Sequence, residues 1–189
     1  MKIELDFNAV AKEHQQAVDS VFAQAEQIQQ AAKAMIAVLK NGNKVLWCGN
    51  GGSAAEAQHM AAELMVRYVK NRQPLASIAL TNDTSILTAH PNDYDFSTLF
   101  ARQVEGLAQE GDLLIGLSTS GKSENVLKAF AAAKQKQVKT LALIGQDDSE
   151  VSNLANMVIK VNSSKTARIQ EGHTLINHLI CEMLDLAFD

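Results

Sequence analysis

Between Phe7 and Lys40, apolar residues return at three- and four-residue spacings (Val10, Val18, Phe22, Ile28, Ala31, Met35, Ile36, Leu39), with Gln, Lys and Glu between them. That is the period of amphipathic helices, and it predicts two of them. Asn41-Gly42-Asn43 closes the second with residues suited to a helix C-terminus. Downstream the pattern changes to short apolar runs: Val45–Cys48, Ala76–Leu80, Leu113–Leu117, Lys139–Gly145 and Met157–Val161. Helical stretches separate them: one opening at Ser53, a turn over Thr84–His90, and helices over about Phe96–Gln109, up to about Gln137, and over about Thr166–Leu186. Strands with unbroken apolar runs, alternating with helices, predict a parallel sheet covered on both faces. The expected fold is α/β: a three-layer αβα sandwich with five parallel strands, preceded by two N-terminal helices. With two prolines, no repeats and no low-complexity segment, residues 1–189 read as one domain with a helical extension over 1–42. Two long leading helices exceed what such a unit needs, so their apolar face is expected to meet another subunit.

The stretch from Lys44 to Tyr68, KVLWCGNGGSAAEAQHMAAELMVRY, concentrates the signals for chemistry. A strand breaks at Gly49-Asn50-Gly51-Gly52, and a helix follows with Ser53 at its expected N-cap. Helix starts leave free N–H groups and a positive dipole end, and glycine lets a ligand approach the backbone. A tight connection with no ligand would use the same residues. One turn apart on that helix lie His59 and Glu63, as a base, a metal ligand or a surface pair.

Composition narrows the classes. The net charge is −4, with Lys and Arg scattered, so no basic stripe for nucleic acid is expected. No apolar run approaches the ~20 residues that span a membrane, and the acidic, mixed start MKIELDFNAV is unlike a signal peptide. Cys48 and Cys181 form no disulfide framework and read as small core residues. The expectation is a cytoplasmic protein.

Two further clusters stand out. Four of the six residues in Ser118-Thr119-Ser120-Gly121-Lys122-Ser123 carry a hydroxyl, between an apolar strand and a helix. Hydroxyls and backbone N–H groups at a helix N-terminus suit a phosphate monoester, though a capping turn would also use some of them. The spacing fits neither a nucleoside-triphosphate loop nor a dinucleotide fingerprint. The final helix carries Arg168, Gln170, His173 and His178. Gln170 and His178 are eight apart and roughly share a face; with His59 and Glu63, His178 completes a set able to hold a metal or exchange protons.

Taken as a group, CGNGGS (Cys48–Ser53), the His59-x-x-x-Glu63 pair, Arg67-Tyr68, Asn92-Asp93, STSGKS (Ser118–Ser123) and RIQEGH…H (Arg168–His178) resemble the sugar isomerase (SIS) domain family. Within it the chain is most similar to the bacterial sedoheptulose-7-phosphate, or phosphoheptose, isomerases. The resemblance implies a homotetramer with active sites at subunit boundaries. It implies conversion of sedoheptulose 7-phosphate, or a related phosphosugar, to D-glycero-D-manno-heptose 7-phosphate for lipopolysaccharide heptose synthesis. By the same likeness Ser118, Thr119, Ser120 and Ser123 would hold the phosphate. Asn50, Gly51, Gly52, Ser53, Glu63, Arg67, Asn92, Asp93 and Gln170 would contact the substrate. One zinc per subunit would sit at His59, Glu63, Gln170 and His178. Glu63 and His178 would be the acid–base pair, meeting across a subunit boundary.

Two departures qualify the likeness. Ala-Ala-Glu-Ala-Gln follows Ser53, where many of these isomerases have His-Cys-Asp-Ala-Met. His90-Pro91 precedes Asn92, where they have a small residue and Gly. The Ala-rich version resembles a SIS relative that binds the replication initiator DnaA, which gives the alternative reading of a non-catalytic phosphosugar-binding regulator. That relative lacks the acid and the final histidine; Glu63 and His178 are present here, which favours the enzyme.

Overall fold

The computed structural model describes residues 3–188. Asp6 starts the first helix by accepting the N–H groups of Asn8 and Ala9, and α1 (Phe7–Phe22) and α2 (Ala25–Lys40) follow as the apolar period requires. Gly42, at φ +79°, then turns the chain into the sheet. The remaining elements are β1 (Val45–Gly49), α3 (Gly52–Met65), β2 (Ser77–Ala79), α4 (Thr84–Asp93), α5 (Leu99–Leu107), β3 (Leu113–Ser118), α6 (Glu124–Gln135), β4 (Lys139–Ile144), α7 (Glu150–Leu154), β5 (Met157–Lys160) and α8 (Thr166–Ala187). All strand pairings are parallel, in the order β2-β1-β3-β4-β5. The five-stranded parallel sheet expected from the apolar runs is the one observed.

Alternation along the strands divides the core. Val45, Trp47, Leu113, Ile115, Leu117, Leu141, Leu143 and Ile159 face α1, α2, α3 and α8. Leu46, Cys48, Leu114, Ala142 and Ile144 face α5, α6 and α7. The buried side chains of α2, Ile28, Ala31, Ala32, Met35, Val38 and Leu39, belong to the first of these clusters. The apolar face of the leading helices is therefore covered mainly within its own chain, by the sheet and α8. Phe7 and Phe22 remain exposed at the two ends of α1.

Three local readings change. Helix α3 begins at Gly52, with Gly51 (φ +56°) as its N-cap and no side-chain cap, while Ser53 is buried in the first turn. A Cβ on Gly49 would lie 2.8 Å from Cβ of Ser53, so Ser53 is packed against the end of β1 instead of standing at the cap. Helix α4 runs through Pro91 to Asp93 rather than stopping at His90. Proline's fixed φ is compatible with the helix, and the cost is one backbone bond. The segment read as one helix from Phe96 is a 3-10 turn, Phe96–Thr98, followed by α5.

Strand order reverses between β1 and β3, because β2 lies outward on one side and β4 and β5 on the other. The crevice at the carboxyl ends of β1 and β3 is where open parallel sheets bind ligands. Gly116, in the middle of β3, has Phe130 and Val126 of α6 packed against its Cα: an added Cβ would lie 2.6 Å from Phe130 and 2.7 Å from Val126. Gly116→Val should lower stability by roughly 1–3 kcal/mol through overpacking. Thermal unfolding checks this, and an unchanged midpoint would overturn the packing argument.

Candidate active site

Three loops and two helices build the carboxyl edge. After β1, Asn50 pairs its amide reciprocally with Asn125 of α6, both bonds at 2.8 Å, which ties the Gly51-Gly52 turn to the first turn of α6, just past the loop after β3. In that second loop the hydroxyls divide. Ser118 is buried and its Oγ lies 2.9 Å from Oγ of Ser123, so these two satisfy each other. Thr119, Ser120 and Lys122 instead line a cavity of about 230 Å³, opposite Ser163, Ser164 and Thr166. The cavity therefore lies at the carboxyl ends of β3, β4 and β5, with the first turn of α8 in its wall.

From that wall α8 runs past α3. Gln170 lies over Gly52: a Cβ there would lie 2.5 Å from Nε2 of Gln170. One turn on, Thr174 Oγ1 and Asn177 Nδ2 donate to the carboxylate of Glu56, at 3.1 and 2.8 Å. Next, His178 presents its ring to His59, edge to face with centroids 5.3 Å apart, and Tyr68 flanks His178 at 5.6 Å. The His59 ring lies between two carboxylates, with Nε2 3.2 Å from Glu63 Oε1 and Nδ1 3.5 Å from Glu56 Oε2. Asp185 supports the Tyr68 loop by accepting the N–H groups of Val69 and Lys70 and Nε of Arg72. Burial opposes its charge, but those donors prevail and hold the carboxyl below its ordinary range.

Glu63 and His178 thus flank one imidazole in a single chain, because α3 and α8 pack together. Other expected contacts lie elsewhere. Asn92 and Asp93 are exposed on the last turn of α4 and bond to each other at 2.8 Å. Arg67 donates to the carbonyl of Val69 beyond the end of α3. Glu56, Ser163, Ser164 and Thr166 were not singled out in the sequence. Glu56 had a findable signal, since it sits three residues before His59 on one helix face.

The chain matches the SIS domain family over residues 7–145. It belongs to that family. It is 51% identical over 177 residues to the phosphoheptose isomerase of a Nitratiruptor species, a match covering 93% of this chain and 95% of that one. Among solved structures it is similar to phosphoheptose isomerase GmhA from Neisseria gonorrhoeae, with TM-score 0.88, 40% identity and coverage of 95% and 96% of the two chains. The phosphoheptose isomerase from Francisella tularensis gives TM-score 0.88, 38% identity and coverage of 97% and 100%.

For a SIS domain the zinc expectation can be tested on the donors themselves. His59, Glu63 and His178 offer two imidazoles and a carboxylate, a chemistry zinc accepts. The fourth, Gln170, stands over Gly52, two turns before His178 on α8. The His59 nitrogens face Glu63 and Glu56, and among the described residues no three His, Cys, Asp or Glu side chains are arranged to hold a metal ion. In this arrangement both nitrogens of His59 are turned to carboxylates. Both cysteines are buried, which pushes their thiols up to about 12 and leaves them inert. Among the described residues no helix is long and apolar enough to cross a membrane.

His173, on the same helix, is excluded from the chemistry by burial. One ring nitrogen, Nε2, lies 3.2 Å from the carbonyl of Ile144, and desolvation lowers its pKa from 6.5 to about 4. Between those values the unfolded chain binds a proton that the folded one does not. Its contribution is therefore complete above pH 6.5 and lost as pH falls to about 4, a loss of about 3 kcal/mol. Chemical denaturation measured across that window should show the decline in the wild type and a flatter profile in His173→Gln. Equal slopes would overturn the assignment.

Proposed function

We propose that this chain is an aldose–ketose isomerase that converts sedoheptulose 7-phosphate to D-glycero-D-manno-heptose 7-phosphate, the sugar for lipopolysaccharide heptose synthesis. At the coarser level, a phosphosugar isomerase follows from the relatives just described. The observation that carries the finer reading is one side of α8. Over about 18 Å it runs from the hydroxyl-lined cavity at Thr166, past Gln170 on the glycine turn, to His178 beside His59 and Glu63. An anion site at one end and a carboxylate–imidazole cluster at the other suit an extended sugar with a terminal phosphate.

In this reading the phosphate takes hydrogen bonds from Thr119, Ser120, Ser163, Ser164 and Thr166, with Lys122 as a nearby cation. Asn50, Gly51, Gly52, Ser53 and Gln170 lie along the path of the sugar. After ring opening, Glu63 takes the proton from C1, and the electron pair forms the C1–C2 double bond as the C2 carbonyl oxygen takes a proton from His178. The enediol then collapses: the O1 proton passes to His178, restoring the one it gave, Glu63 delivers to C2 the proton it took from C1, and C1 becomes the carbonyl. Zinc remains part of the proposal by resemblance only, for elemental analysis of the purified protein to decide. A homotetramer is proposed on the same ground and is supported by exposed Phe7, Phe22, Met65, Val66 and Val69; sedimentation measures it. Neither the fold nor the relatives favour the DnaA-binding regulator.

Glu63→Gln should lose roughly 10²–10⁴-fold in kcat, the usual share of general acid–base catalysis, while its melting temperature stays close to wild type. Near wild-type turnover would remove Glu63 from the base role. Purified protein should also turn over sedoheptulose 7-phosphate in preference to arabinose 5-phosphate and fructose 6-phosphate; turnover of none, with measurable DnaA binding, would reverse the reading. The phosphate site is tested separately. Ser120→Ala combined with Ser164→Ala should raise KM for the phosphosugar by roughly tenfold, about 1.4 kcal/mol for hydrogen bonds to a charged group, with little change in stability. An unchanged KM would leave the cavity without a ligand role.

A further inference from the structure

Arg72 and Asp185 form an ion pair almost out of reach of water: their side chains are 2% and 5% exposed, with Nε 3.1 Å from Oδ1. A buried pair offsets its desolvation only with further hydrogen bonds, and these come from the two helices that carry the proposed base and acid. Val66 N–H makes the last backbone bond of α3, to the carbonyl of Ala62. Carbonyls beyond that point need partners from outside the helix. The guanidinium supplies them: Nη2 donates to the carbonyl of Glu63 and Nη1 to that of Leu64, both at 2.9 Å. On the other side of the pair, Asp185 of α8 accepts the N–H groups of Val69 and Lys70, each at 2.9 Å, in the loop that sets Tyr68 beside His178.

We propose that Arg72, anchored by Asp185, is a positioning residue of the isomerase site: it fixes the last turn of α3, and with it Glu63, against the part of α8 that carries His178. Helix ends fray, and Glu63 stands in the final turn of α3. Its own carbonyl is one of the two that the guanidinium holds, so the base and the anchor point are the same residue. Asp185 lies two turns after His178 on α8. The contacts therefore close a ring: from Glu63 through Arg72 to Asp185, back along α8 to His178, and through His59 to the Glu63 carboxylate. One rigid, planar fork can meet two carbonyls and a carboxylate at once, whereas a lysine ammonium is a point charge on a flexible stem. The cation also sits at the negative end of the α3 dipole. The part in turnover rests on the proposed isomerase reading; the hold on the two helices stands on these bonds alone.

The discriminating variant is Arg72→Lys, which keeps the charge and loses the fork. Its kcat should fall by about 10–100-fold, the scale on which a small misplacement of reacting groups acts. KM should stay within about twofold, because the hydroxyls proposed for the phosphate stand at the other end of α8. Arg72→Ala supplies a second measurement. A surface cavity of about 450 Å³ adjoins Arg72, so millimolar guanidinium should reach the emptied place and restore part of kcat, where ammonium at equal ionic strength should not. A lowered melting temperature with unchanged kcat in Arg72→Lys would make the pair only a brace for the fold. So would guanidinium that restores the melting temperature of Arg72→Ala but no turnover. If both variants fail to fold, NMR of the wild type decides: Nε–H of Arg72 should exchange slowly with solvent, and fast exchange would overturn the proposal. If the wild type isomerises no phosphosugar, the proposed function fails, while the Nε–H signal still decides whether Arg72 ties α3 to α8.

Discussion

The contact between α3 and α8 at the carboxyl edge is what the rest of the site depends on. It begins where Gln170 covers Gly52, continues through Thr174 and Asn177 onto Glu56, and ends where His178 meets His59. Each step needs a particular residue size or polarity. A side chain at position 52 would displace Gln170, and an apolar residue at 56 would strand the amide of Asn177, a residue 1% exposed. Leaving a buried polar group unpaired costs about 1–3 kcal/mol, so the polar seam aligns the helices as well as serving their chemistry. Even so, Asn177 Oδ1 is buried without a partner. The amide has been placed for Glu56 rather than for full satisfaction.

The sheet supplies the frame that makes this contact possible. The reversal of strand order between β1 and β3 opens the crevice, and the Asn50–Asn125 amide pair spans it. Glycine appears where backbone must approach backbone: an added Cβ on Gly49 would lie 3.0 Å from the carbonyl of Leu117, and on Gly145 2.5 Å from that of Thr119. These approaches draw the three loops together, so that hydroxyls from residues 119–120 and 163–166 face one another across a small cavity. In a chain with a net charge of −4, these hydroxyls line the cavity together with Lys122 and Asp147. Dipoles and hydroxyls act locally, where bulk charge is screened beyond roughly 10 Å.

The sheet was legible because its strands are buried on both faces, and unbroken apolar runs survive any rearrangement of the loops. Short or irregular elements were not. Helix α7 spans five residues and is held by a capping box between Ser149 and Ser152, too short for a periodic signal. In the site, His59 and Glu63 could be paired from spacing alone, since one helix carries both. Glu56 was missed because its significance comes from Thr174 and Asn177, more than a hundred positions away. Gln170 and His178, eight residues apart, lie roughly on one side of the helix but two turns apart along it. One therefore meets the glycine turn while the other meets the imidazole.

The hydroxyl loop shows why residue type alone overstates a binding site. Four hydroxyls in six residues read as one phosphate cradle, yet Ser118 and Ser123 bond to each other and only Thr119 and Ser120 face the cavity. The internal pair has its own use. It joins the end of β3 to the start of α6, so the loop between them keeps Gly121 at φ +64° and returns the backbone N–H of Lys122 to Ser120 Oγ at 3.2 Å. A loop stiffened in this way presents its outward hydroxyls without first having to be ordered, which is the preorganisation that makes a small polar site selective. Half of the cluster therefore holds the other half still.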